Sequence, residues 1–91
     1  MFIEIKGNSG VYIGDSFSHT EIVESFFINL DLTLEVRFSK TTEFDKIKDI
    51  EKDTISFYFV GEEPIYNFTF NKQGMGEYHR LKRIIESQIL K

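Results

Sequence analysis

Ile28, Asn29, Leu30, Asp31, Leu32, Thr33, Leu34, Glu35, Val36, Arg37, Phe38 and Ser39 run consecutively, with an apolar residue at every even position and a polar one at every odd position. Successive side chains of a strand point to opposite faces. This period of two therefore predicts a half-buried antiparallel strand, or two strands meeting at a bend near Asn29–Asp31. One face is expected to meet a core and the other water.

Working outward toward the N-terminus, residues 20–27 hold Ile22, Val23, Phe26 and Phe27. Their spacing also suits one helical turn capped by Thr20, but the β-branched and aromatic content favours a strand. Further back, Ile3 and Ile5 share a face of one short run, and Val11 and Ile13 share a face of the next. The loop between them is Gly7-Asn8-Ser9-Gly10, so a first hairpin is expected.

Toward the C-terminus, residues 40–53 are rich in Lys, Asp, Glu and Thr, with Phe44, Ile47 and Ile50 three apart. That spacing, with Thr42 as N-cap and Glu43 and Asp45 in the first turn, predicts a short helix lying on the core. The runs 54–60 and 65–70 then read as a hairpin turned through Gly61-Glu62-Glu63-Pro64, with Ile55, Phe57 and Phe59 on one face and Tyr66, Phe68 and Phe70 on another. After the glycines at 74 and 76, Tyr78, Leu81, Ile85 and Ile89 recur at spacings of three and four, with Ile84 widening the stripe. This is an amphipathic helix.

The expected fold is α+β over residues 1–91. It comprises a mainly antiparallel sheet of about five to six strands, a short middle helix and a C-terminal helix packed on the sheet. The order of elements broadly resembles the pleckstrin-homology type of small bent sheet, as an analogy of architecture alone.

Composition narrows the chemistry. The chain has 91 residues, 41% of them hydrophobic, with ten Phe, four Tyr and no Cys. Without a cysteine thiol there are no disulfides, thiolate metal sites, cysteine-held iron–sulfur clusters or cysteine nucleophiles. The first six residues lack the apolar stretch of a signal peptide, and nowhere do about 18 apolar residues run together, so a cytoplasmic protein without a transmembrane segment is expected.

His19, beside Ser16, Ser18 and Glu21, is the one local set with the residue types for nucleophilic catalysis, and turn chemistry accounts for those residues equally well. Asp15 with His19, or Glu77 with His79, offers at most two metal ligands, short of the three or four that zinc takes. The glycine pairs lack the Lys and Ser or Thr of a phosphate-binding loop. No catalytic, metal or cofactor site is therefore assigned.

Charge is divided along the chain. The formal net charge is −4; residues 1–71 carry 6 basic and 13 acidic groups, net −7, and residues 72–91 carry 5 and 2, net +3. An acidic body disfavours nucleic acid and favours the approach of a basic protein surface. The expected partner-binding residues are Asp45, Asp49, Glu51, Asp53, Glu62 and Glu63, in an inhibitor or immunity-type protein masking a basic site on a toxin or nuclease. The alternative is an adaptor binding peptide, anionic lipid or RNA through Arg80, Lys82 and Arg83, with Tyr12, Tyr58 or Phe2 as stacking platforms. Self-association is expected through an aromatic sheet face opposite the helix, built from Phe2, Tyr12, Tyr58 and Val60.

Overall fold

A computed structural model describes residues 1–7, 10–14, 19–22, 24–45, 48–59 and 66–89, of which positions 19, 41, 43–45, 48–50 and 89 are described by backbone alone. Seven strands and one helix follow in chain order: β1 (Phe2–Lys6), β2 (Val11–Gly14), β3 (His19–Glu21), β4 (Ser25–Asn29), β5 (Thr33–Asp45), β6 (Lys48–Phe59), β7 (Tyr66–Phe70) and α1 (Met75–Ile89). The five-stranded sheet has the order β3-β2-β7-β6-β5, and β1 pairs with β4 in a separate two-stranded ribbon. All of these pairings are antiparallel. The architecture is α+β, as the alternation and the terminal helical stripe require.

The core lies between the sheet and a second layer made of the ribbon and α1. From the sheet come Val11, Ile55, Phe57, Phe68 and Phe70; from the ribbon, Ile3, Ile5 and Ile28; from the helix, Tyr78, Leu81 and Ile85, all buried. Edge-to-face rings join the layers. Phe26 of the ribbon meets Tyr66 and Phe68 of β7 with centroids 4.9 and 5.5 Å apart, and within the sheet Phe57 meets Phe68 at 5.7 Å. The two strands of the expected 54–70 hairpin pair, Ile55 with Phe68 and Phe57 with Tyr66, and the expected turn at 61–64 lies outside the described residues. The stretch 28–39 resolves into two strands: the Asn29 side chain accepts the Asp31 backbone N–H at 3.0 Å and starts a 3₁₀ turn at Leu30–Leu32.

Two expectations are corrected. The described residues of 40–53 are extended, not helical: β5 and β6 continue in register to Asp45 opposite Lys48. The spacing of Phe44, Ile47 and Ile50 fits a helix equally well, but the ladder already running from Thr33 and Phe59 propagates outward. Charge across the ladder helps it, since the Lys40 ammonium reaches Glu51 of the facing strand at 4.0 Å. Thr42 is a strand residue opposite Glu51 and caps nothing.

The second correction concerns the expected first hairpin, because β1 pairs with β4 and β2 joins the other sheet beside β7. Ile3 opposite Ile28 and Ile5 opposite Phe26 put four apolar side chains on the inner face of one ribbon, a burial that pairing with β2 would forgo. Gly10, at φ +103°, turns the chain from one layer into the other.

Candidate functional site

Strand lengths create the most distinctive feature. β7 pairs with β6 only from Asp53 to Phe57, whereas β5 and β6 pair with each other out to Asp45 and Lys48. Residues 40–45 and 48–52 thus form a two-stranded arm, which reaches about 20 Å past the sheet at roughly 3.4 Å per residue. On the helix-facing side the register runs from Val36 opposite Phe57, through Phe38 opposite Ile55, to Lys40 opposite Asp53 and Thr42 opposite Glu51. Apolar residues give way to charge where the cover of the second layer ends.

Two adjoining grooves lie at the root of this arm. One, of about 510 Å³, runs between the arm and the first turns of α1 and is lined by Phe38, Ser39, Lys40, Asp53, Met75, Tyr78, His79 and Lys82. The other, of about 360 Å³, is lined by Glu51, Lys52, Asp53, Phe70, Asn71, Lys72 and Met75. Asp53 and Met75 border both. The floor is aromatic and the walls are charged, the usual composition of a site that takes an amphipathic group.

The electrostatics are specific. Asp53 makes no ion pair among the described residues, although Lys40 lies opposite it; the Lys40 ammonium reaches Glu51 at 4.0 Å. Lys82 stands 3.9 Å from Glu86 and lies near the rings of Phe38 and Tyr78, at 5.7 and 6.0 Å from their centroids. These rings already attract one cation. Burial pushes the Tyr78 phenol above its usual range, and the carboxylates of Asp53 and Glu86 add to the effect.

Of the expected acidic residues, Glu51 and Asp53 meet at the grooves. Asp45 and Asp49 are placed on the arm by backbone only, and Glu62 and Glu63 lie outside the described residues. The basic residues of α1 do not form one surface. Arg80 turns to β1, where it binds Glu77 through Nε and a terminal nitrogen, each at 2.6 Å, and donates to the Glu4 carbonyl at 2.5 Å. Glu77 in turn accepts the Lys6 backbone N–H at 2.6 Å. Lys82 faces the groove, and Arg83 is exposed. The Arg80 latch was absent from the sequence reading; Glu77 and Arg80, three apart on a helix, were its only signal.

The expected aromatic face is also redistributed. Tyr12 and Tyr58 are half-buried on the sheet face away from the helix, with Lys52 5.8 Å and Arg37 4.9 Å from their ring centroids. That face is polar, with Thr54, Ser56 and Thr69 buried between larger neighbours. Phe2 instead sits on the outside of the ribbon, in the layer that carries the helix, because Ile3 and Ile5 take the inward positions. Val60 lies outside the described residues, as do Ser16 and Ser18 of the His19 set. The described residues contain no cluster of three metal-ligating side chains and no helix long and apolar enough to cross a membrane.

Comparison with protein-family models, curated proteins and solved structures gives no match. Function is therefore argued from the site alone.

Proposed function

We propose that this chain is a small non-enzymatic binding protein of the inhibitor or immunity type, which masks a basic segment of a protein partner such as a toxin or nuclease. The observation that carries the reading is Asp53, an acid without an ion pair among the described residues, shared by two grooves floored by Phe38, Phe70, Met75 and Tyr78. An arginine or lysine of the partner would set its charge at Asp53 and Glu51 and its stem on the rings. The carboxylates of Glu51 and Asp53 at the root of the arm would speed encounter with a cationic partner. A two-stranded ribbon is marginally stable alone, so an arm of this kind gains order when a partner covers it.

Titration with an arginine-rich peptide, followed by backbone amide NMR shifts, tests this. Expected are shifts at residues 38–40, 51–53 and 75–79 that weaken with salt and are lost in a double variant Glu51→Gln and Asp53→Asn. Peptide binding unchanged in that variant would refute the reading. Saturable binding of single-stranded RNA or anionic vesicles, lost on Lys82→Ala and Arg83→Ala, would favour the adaptor alternative.

A further inference from the structure

We propose that β4 is a pairing edge for a second copy of this chain, giving a symmetric dimer centred on Phe27. The Glu4 carbonyl and the Lys6 N–H are taken by Arg80 and Glu77 of α1, so the alternate residues Ile3 and Ile5 direct their backbone groups toward β4. Their register partners Ile28 and Phe26 answer them. Strand alternation then points the N–H and C=O of Phe27 out of the opposite edge of the ribbon, where no described residue meets them.

Among the described residues the other edges are guarded and this one is not. β1 is closed by the Arg80–Glu77 latch; β3 is three residues long; β5 carries Glu35, Arg37 and Lys40 and an irregular register between Thr33 and Glu35. β4 reads Ser-Phe-Phe-Ile-Asn, with no charge, no proline and an unbroken register. Such an edge invites another strand. Phe27 is 59% exposed, and Phe2, its diagonal neighbour across the ribbon, is 66% exposed. Two large rings are left in water on the same outer face.

Self-complementarity selects the occupant. Antiparallel addition of the same strand about Phe27 places Phe27 against Phe27 of the second copy, and Ser25 against its Asn29, so one local twofold axis satisfies both edges. The Asn29 carbonyl already accepts the Thr33 hydroxyl at 3.1 Å and has a second lone pair for the copy. Because β4 carries no charge, two chains of net −4 meet there without opposing like charges. The two Phe2 and two Phe27 rings then share one face of a four-stranded sheet, burying the apolar surface that each chain alone exposes.

Sedimentation velocity over a concentration series, with the wild-type chain and two variants, tests the proposal. The wild type is expected to dimerise, and Phe27→Lys, at an exposed position, is expected to weaken the dimer at least about tenfold while keeping the monomer's circular dichroism. The chain has no cysteine, so Phe27→Cys provides a geometric readout. A hydrogen-bonded antiparallel pair holds its Cα atoms about 5.5 Å apart, within disulfide reach, and mild oxidation should cross-link Phe27→Cys far faster than Leu34→Cys. A wild type that stays monomeric at every concentration, a Phe27→Lys variant that dimerises unchanged, or equal cross-linking of both cysteine variants would each overturn the proposal.

Discussion

Arg80 grips Glu77 one turn earlier on the same helix, and the pair together closes the free edge of β1: Glu77 accepts the Lys6 N–H and Arg80 donates to the Glu4 carbonyl. A carboxylate and a guanidinium thereby act in place of a neighbouring strand. Two residues that look like part of a charged helix surface become the fastening between α1 and the ribbon. The Arg80 charge is held firmly by this contact, its pKa raised chiefly by the hydrogen bond to Glu77.

Replacing Arg80 by Ala should cost about 1–3 kcal/mol, since it leaves the largely buried Glu77 carboxylate and the Glu4 carbonyl short of a donor. Arg83→Ala, at an exposed position, should stay within about 0.5 kcal/mol of the wild type. Urea unfolding of the two variants checks this, and equal stabilities would dismiss the latch.

Gly10 and Gly76 have opposite expected effects. A Cβ on Gly74 would lie 2.5 Å from the Gly10 carbonyl oxygen, and one on Gly10 would lie 2.6 Å from the Gly74 nitrogen at a backbone φ of +103°. Gly10→Ala should destabilise by about 2–3 kcal/mol through clash and strain. Gly76 has open space around it, so Gly76→Ala should stabilise by about 0.5 kcal/mol through helix propensity. Thermal melts of both variants measure the contrast.

Alkaline pH should weaken the fold through Tyr78. Its pKa is raised in the folded state, so the unfolded chain loses this proton first as pH rises. The associated stability is complete below the ordinary tyrosine value of about 10 and is lost as pH climbs through the folded value. Ultraviolet titration of phenolate should show a late-titrating tyrosine that is absent from Tyr78→Phe, and that variant should resist alkaline unfolding better than the wild type. An identical pH profile for the two proteins would contradict the assignment.

Shortening the arm separates folding from binding. With residues 41–52 replaced by a two-residue type I′ turn, Asp53 to Phe57 of β6 still pairs with β7 and the core residues stay in place. The melting temperature should change by only a few degrees, since the removed backbone pairs with nothing but itself among the described residues. Binding of the arginine-rich peptide should weaken markedly. Loss of cooperative unfolding would show instead that the arm supports the core.

Much of this fold is legible in the amino-acid order because short-range periodicity marks which side chains share a face. The runs around Ile55 and Phe68 and the Tyr78, Leu81 and Ile85 stripe are buried as their periods require, whereas the alternation of residues 28–39 buries Ile28 but leaves Leu32 and Leu34 63% and 68% exposed, where the 3₁₀ turn and the register irregularity interrupt the strand. The strands and the terminal helix follow from those periods without knowledge of their neighbours. Pairing was legible for the adjacent runs of β6 and β7 and not elsewhere. Whether β1 joined β2 or β4 depended on which partner could bury Ile3 and Ile5, and whether the described residues of 40–53 coiled or extended depended on their continuing the β5–β6 ladder that begins at Thr33 and Phe59. The same limit governs the candidate site: Asp53 and Glu51 stand out in the sequence as charges, but the grooves exist because β6 outruns β7 and lays Asp53 beside Met75 and Tyr78. Amino-acid order determined which side chains share an apolar face, which charges are present and that no thiol chemistry is available. Tertiary structure alone decided which faces meet, because strand pairing and layer packing join residues far apart in the chain and no local pattern records their distance in space.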